Sequence, residues 1–171
     1  GVYDGHGGVT CADFLRDNLH QYVISNPNFP WNPKLALQGG FEEAERNFLN
    51  LAYKVNENNE IEILEKSGSC AIAILIVGDM CYIANVGDSR AIMSGESGDK
   101  IWALSRDHKP MDEFEYKRIS ESGGKIYQTK IQAYCNSAAG GVGTVPDNGY
   151  LVGPYRVLPG RLSVNIKIIS F

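Results

Sequence analysis

Ser69-Cys70-Ala71-Ile72-Ala73-Ile74-Leu75-Ile76, then Gly78-Asp79, then the equally apolar stretch Met80 to Met93: this segment decides the fold. Each half is rich in isoleucine, alanine and valine, and a two-residue Gly-Asp step between such runs is a hairpin turn. Long apolar strands of this kind are covered on both faces, so the hairpin predicts a sheet held between other layers. Upstream, apolar residues at Ala12, Leu15, Leu19, Tyr22 and Val23 repeat at helical spacing from Val9, with Thr10 as the expected N-cap. A stronger amphipathic stripe follows through Leu37, Phe41, Ala44, Phe48, Leu51 and Val55, with Glu42, Glu43, Glu45, Arg46 and Lys54 on its other face. Gly39-Gly40 sits awkwardly in the first turns of that helix. Downstream, Lys100 to Leu104 reads as a third strand, Met111 to Glu121 as a short helix closed by Gly123-Gly124, and Lys125 to Tyr127 as a further strand.

The chain has 171 residues, 43% of them hydrophobic and 21% charged, the composition of a globular domain rather than a disordered one. The longest apolar run, Cys70 to Val77, is far too short for a bilayer, so no membrane segment is expected. Sixteen basic against 20 acidic residues give a net charge of −4, and the basic residues are scattered. A nucleic-acid surface needs a basic stripe, so no nucleic-acid partner is expected. Cys11, Cys70, Cys81 and Cys135 show no Cys-x-x-Cys spacing, which favours free thiols in a reducing compartment and a cytoplasmic protein, with the nucleus left open. Residues 136–153 turn to Gly, Ala, Val, Pro and Asn and are expected to form a loop or insertion. Gly140-Gly141-Val142-Gly143-Thr144 within it lacks the Gly-Lys-Ser/Thr ending of a phosphate cradle.

The chemistry concentrates in Tyr3-Asp4-Gly5-His6-Gly7-Gly8, with three glycines in the last five positions. Asp4, at a strand end and aimed by a glycine turn, offers a hard carboxylate oxygen suited to Mg²⁺ or Mn²⁺. Gly5 lets a backbone carbonyl approach the same ion, because no Cβ intervenes. His6, two residues from Asp4, is a candidate proton donor to the leaving group of a metal-bound substrate. Taken alone, an Asp-Gly-His-Gly stretch reads equally well as a surface turn.

It is not alone. Ser67-Gly68-Ser69-Cys70-Ala71, Asn85-Val86-Gly87-Asp88-Ser89-Arg90-Ala91, Asp107-His108-Lys109-Pro110 and Arg118-Ile119 with Gly123-Gly124 follow in order. Together with the opening turn, this set resembles the metal-dependent serine/threonine phosphatases of the protein phosphatase 2C family. The resemblance spans residues 1 to about 164, interrupted by the 130s–150s. It implies an α+β fold, an α-β-β-α sandwich of two antiparallel sheets flanked by helices. It also implies a centre of two Mn²⁺ or Mg²⁺ ions that hydrolyses phosphoserine and phosphothreonine proteins with an activated water. Asp4 matches the carboxylate bridging both ions, Gly5 the carbonyl ligand and His6 the general acid. Asp88 matches a carboxylate tied in some members to a third ion, the alternative being a turn carboxylate paired with Arg90. Arg156 matches a phosphate-binding arginine near the cleft, a loop cation being the other reading. His108 reads as a structural turn histidine placed by Asp107 and Pro110, and His20 as a surface residue. The acidic balance suits this chemistry, since divalent ions rather than a basic cluster would hold the anionic substrate.

Two parts of the family pattern have no counterpart. The upstream arginine and acidic pair would precede Gly1, and residues 165–171 replace a Ser-Arg continuation and two further aspartates downstream. The expectation is therefore a single partial phosphatase domain over 1–171, arising from a truncated gene model, an unspliced intron or a shortened isoform. Such a chain is expected to be inactive alone, and the full-length form to be a monomer. The competing reading is a non-catalytic scaffold or regulatory module that keeps the Asp-Gly-His turn.

Overall fold

The structure, a computed structural model, describes residues 1–95, 98–132, 150–158 and 167–170. Its elements run β1 (Gly5–His6), α1 (Thr10–Ile24), α2 (Pro33–Ala52), β2 (Tyr53–Val55), β3 (Ile61–Ile63), β4 (Gly68–Ser69) and β5 (Ala71–Val77). They continue with β6 (Met80–Val86), β7 (Ile92–Ser94), β8 (Ile101–Ala103), α3 (Glu113–Glu121), β9 (Lys125–Gln132), β10 (Tyr150–Leu158) and β11 (Lys167–Ser170). The chain forms two compact units, residues 1–108 with 161–171, and residues 109–160.

The decisive hairpin forms as its sequence predicts. β5 and β6 pair antiparallel from Ala71↔Val86 to Val77↔Met80, and β11 adds to the other edge of β6. Gly78 takes φ +59° at the turn, a conformation glycine adopts without strain. Alternation sends Ala71, Ala73, Leu75, Tyr82, Ala84 and Val86 to the face packed against α1 and α2. There they meet Leu15, Leu19, Phe41 and Phe48, all at most 4% exposed. The opposite face is covered only in part: Ile72 and Ile83 cluster with Ala91 and Leu104, while Ile74 and Ile76, nearer the turn, are exposed.

Four sequence expectations shift. The apolar stretch to Met93 is not one strand. It breaks after Val86 at Gly87, whose φ of +105° turns the chain, and Ile92–Ser94 pairs instead with Ile101–Ala103. The second helix ends at Ala52, which leaves Val55 outside it, and Leu51 in its last turn is exposed rather than part of its buried stripe. Tyr53–Val55 pairs with Ile61–Ile63, closed by a turn in which Asn56 Oδ1 accepts from the Asn58 and Glu60 amides and Asn59 takes φ +61°. Thr10 is the first helical residue and no side chain of the preceding Val9 caps α1; the Cys11 amide instead donates to Ser67 Oγ at 3.1 Å. Gly40, far from awkward, lies where α2 crosses α1. A Cβ there would stand 2.5 Å from Val23 Cγ2.

In the second unit α3 is capped by Asp112, whose side chain accepts from the Phe114 amide. Glu115 is buried and paired with Arg118, whose Nε donates to it at 3.0 Å. β9 and β10 form an antiparallel ladder from Tyr150↔Gln132 to Leu158↔Lys125. Tyr150–Gly153 thus belong to a strand, while 136–149 and the Gly140–Thr144 stretch lie outside the described residues. So does Cys135; Cys11, Cys70 and Cys81 are free thiols. Among the described residues no helix is long and apolar enough to cross a membrane.

Candidate metal centre

The Asp4–Gly8 turn is built from both sides. On the strand side, the Val2 and Ile72 backbones exchange two hydrogen bonds, and the Cys70 amide donates to the Asp4 carbonyl at 2.9 Å. Hydrogen-bonded pairs alternate along an antiparallel ladder, so the next pair, Gly5↔Ser69, is of the open kind. The Gly5 carbonyl therefore points away from β4, available to a ligand. A Cβ on Gly5 would lie a tight 3.2 Å from both the Ala12 side chain and the Gly8 carbonyl. On the helix side, Gly7 and Gly8 take φ +70° and +142° to pass the chain from β1 into α1. That passage is braced by Glu65-Lys66-Ser67. Glu65 Oε1 accepts from the Lys66 and Ser67 amides at 2.7 and 2.8 Å. These bonds, with one from the Thr10 side chain, hold the Glu65 carboxyl at about 2, well below its ordinary range.

Residues two apart along a strand share a face, as do residues directly opposite. Asp4 and His6 therefore stand on the face of the ladder that Cys70 also occupies, and both are exposed. His6 lies opposite Gly68, a residue with no side chain.

Asp88 joins this group through Cys70. The Cys70 thiol donates to Asp88 Oδ1 at 3.3 Å, and burial, followed by the Asp88 and Asp4 charges, raises the thiol above its ordinary range. The expected alternative, an Asp88–Arg90 pair, does not form: Arg90 Nε and Nη2 donate to the two oxygens of Asp107 at 2.8 and 2.9 Å. His108 is bonded to the Gly87 turn. Its amide donates to the Gly87 carbonyl at 2.9 Å, and its Nδ1 accepts from the Gly87 amide at 3.4 Å. Buried Asn85 completes the clamp, Nδ2 donating to the Gly87 and Arg106 carbonyls at 3.2 Å each. Sequence reading missed Asn85, Ser67 and Glu65 as supports: Ser67 and Asn85 bond backbone groups of Cys11 and Arg106, remote in sequence, and Glu65 braces the turn through its neighbours' amides. Arg156 is exposed on β10 of the second unit, opposite Tyr127. That unit also holds a groove of about 510 Å³ lined by Met111, Tyr116, Gly124, Ile126 and Tyr155, which none of the sequence-predicted site residues lines.

The donors assembled in the first unit are the Asp4 and Asp88 carboxylates and the Gly5 carbonyl, all hard oxygens of the kind Mg²⁺ and Mn²⁺ take. They fit such ions in kind. In number they fall short of the six or so oxygens a divalent ion takes. Among the described residues no three or more His, Cys, Asp or Glu gather closely enough to hold a metal.

Residues 1–138 match the sequence profile of the family described as Protein phosphatase 2C. The chain belongs to the protein phosphatase 2C family. It is 38% identical over 126 residues to the probable protein phosphatase 2C member 13, mitochondrial, of Oryza sativa subsp. japonica, an alignment covering 74% of this chain and 32% of that protein. It is 39% identical over 126 residues to the probable protein phosphatase 2C 76 of Arabidopsis thaliana, covering 74% of this chain and 28% of the relative. The chain thus spans about a third of the length of these phosphatase 2C relatives. Among solved structures, it resembles serine-threonine phosphatase 2C from Toxoplasma gondii with a TM-score of 0.60 at 16% identity, over 99% of this chain and 61% of that one. A C. elegans sex determining protein gives a TM-score of 0.62 at 22% identity, over 99% of this chain and 38% of that one. Both likenesses bear on fold, and they agree with the α+β, antiparallel-sheet architecture of the phosphatase 2C type.

Proposed function

We propose that this chain carries part of the catalytic centre of a metal-dependent phosphatase acting on phosphoserine and phosphothreonine proteins. The observation that supports it best is the Asp4-Gly5-His6 turn, where a carboxylate, an outward-pointing carbonyl and an imidazole come together at an exposed strand end. Asp4, the Gly5 carbonyl and, as a further ligand, Asp88 would hold Mn²⁺ or Mg²⁺, two ions in the complete domain. When bound, such ions supply an activated water and neutralise phosphate charge. His6 delivers a proton to the serine or threonine oxygen as it leaves. The glycine turn and the Glu65–Ser67 brace hold Asp4 and His6 in place, so that little reorganisation is needed on substrate binding. The full-length protein is read as a cytoplasmic or nuclear monomer.

The test is metal dependence in the full-length protein. Its phosphopeptide turnover should appear only with Mn²⁺ or Mg²⁺ and vanish in excess EDTA, because the turn offers hard oxygen ligands and the thiol beside it, Cys70, is pushed up by burial and so is a poor nucleophile. Undiminished turnover in EDTA would sink the proposal.

A further inference from the structure

Cys70 touches both halves of the proposed centre. Its amide donates to the Asp4 carbonyl at 2.9 Å, and its thiol donates to Asp88 Oδ1 at 3.3 Å. Gly87 makes it possible. A Cβ on Gly87 would fall onto Cys70 Sγ and stand 2.7 Å from its Cβ, so only glycine lets the 87–88 backbone come this near. The turn is then locked from its far side by His108 and Asn85, both bonded to Gly87. Asp88 would otherwise be an exposed turn carboxylate with two freely rotating side-chain torsions. The thiol removes that freedom by engaging Oδ1 and leaves Oδ2 for a ligand.

We propose that Cys70 is a positioning residue, whose S–H···Oδ1 bond orients the Asp88 carboxylate toward a divalent ion beside Asp4. This rests on the reading of Asp88 as a metal ligand, and it deepens that reading. Any side chain with a donor at the same place should serve: serine should substitute for Cys70, while valine, which fills similar space without a donor, and alanine, which lacks both the donor and the sulfur's bulk, should not.

The test is Mn²⁺-induced paramagnetic broadening of backbone amides in the ¹⁵N-labelled full chain, which reads weak binding site by site and needs no turnover. Wild type should broaden at Gly5 and at Gly87–Ser89. Asp88→Asn should raise the Mn²⁺ concentration for half-broadening at 87–89 by about tenfold or more, since affinity follows the charge of the ligand set. Cys70→Val and Cys70→Ala should each raise it by about 3- to 10-fold, the worth of one modest hydrogen bond, while Cys70→Ser should stay within about twofold of wild type. The dispersion of each variant's amide spectrum reports that it is folded. Titration of both Cys70→Val and Cys70→Ala like wild type, with Asp88→Asn still weakened, overturns the role of Cys70 and leaves the Asp88 reading standing. Weakening of Cys70→Ser as severe as that of Cys70→Val also overturns it, since packing rather than the donor would then be responsible. Asp88→Asn titrating like wild type, or a wild-type chain that does not broaden at 87–89, overturns the Asp88 reading and the role of Cys70 with it.

Discussion

On the proposed reading, removal of His6 separates proton transfer from metal binding. In the full-length enzyme, His6→Gln should lower kcat on phosphoserine substrates by about 10²–10⁴, the contribution of a placed general acid. The loss should shrink on an aryl phosphate, whose leaving group needs no proton; an equal loss on both substrates would assign His6 another role. Glu65 gives a second test at this scale. Its folded carboxyl lies at about 2, against an ordinary value of 4.5, because the Lys66 and Ser67 amides and Thr10 bond its charged form. A carboxyl depressed on folding contributes stability above about pH 4.5, and that contribution fades as pH falls toward 2. Glu65→Gln should therefore lower the thermal midpoint at pH 7 and differ progressively less from wild type between pH 4.5 and 2. A gap between the two that stays constant with pH would show that the charge of Glu65 is not what holds the brace. Both residues are legible in sequence only unequally: His6 belongs to a recognisable turn, whereas nothing local marks Glu65 as the support of a helix start more than 50 positions away.

Among the elements, the crossing of α1 and α2 depends on a residue that helix propensity disfavours. Glycine in a helix interior costs about 1 kcal/mol relative to alanine. At position 40 that preference is reversed, since a methyl group would press on Val23, itself 5% exposed. Gly40→Ala should accordingly destabilise the chain by about 1–3 kcal/mol, the usual cost of overpacking, measured by urea unfolding. Gain of stability would mean that the helices can part at no cost. The amphipathic spacing through Phe48 was sufficient to find α2, because a helix face repeats at three and four. Its end was not legible in that spacing, since Leu51 and Val55 continue the period by chance. The better signal was Asn56-Glu57-Asn58-Asn59: asparagines that bond their own backbone and tolerate positive φ mark a turn, and a turn there requires strands on either side.

For the whole molecule, ligand number governs what this chain can do. Its described residues bring two carboxylates and a carbonyl to the candidate centre, while a pair of divalent ions needs several carboxylates to balance its charge. Titration calorimetry of Mn²⁺ into the chain should show weak binding, and a phosphopeptide assay run beside it almost no turnover. Two tight sites with turnover near that of a full-length relative would show that this ligand count is wrong. The Asp4-Gly5-His6 turn, the central hairpin, the first two helices and family membership are all carried by short-range pattern: glycine punctuation, alternation and helical period need only neighbouring residues. Tertiary structure decided the rest. Arg90 chose Asp107 over the nearer Asp88, Ser67 rather than Thr10 capped α1, and Cys70 came to link Asp4 with Asp88. Each of these is a contact between segments far apart in sequence. Such contacts are selected by which backbone groups the packed sheet leaves without a partner, and no local pattern encodes that choice.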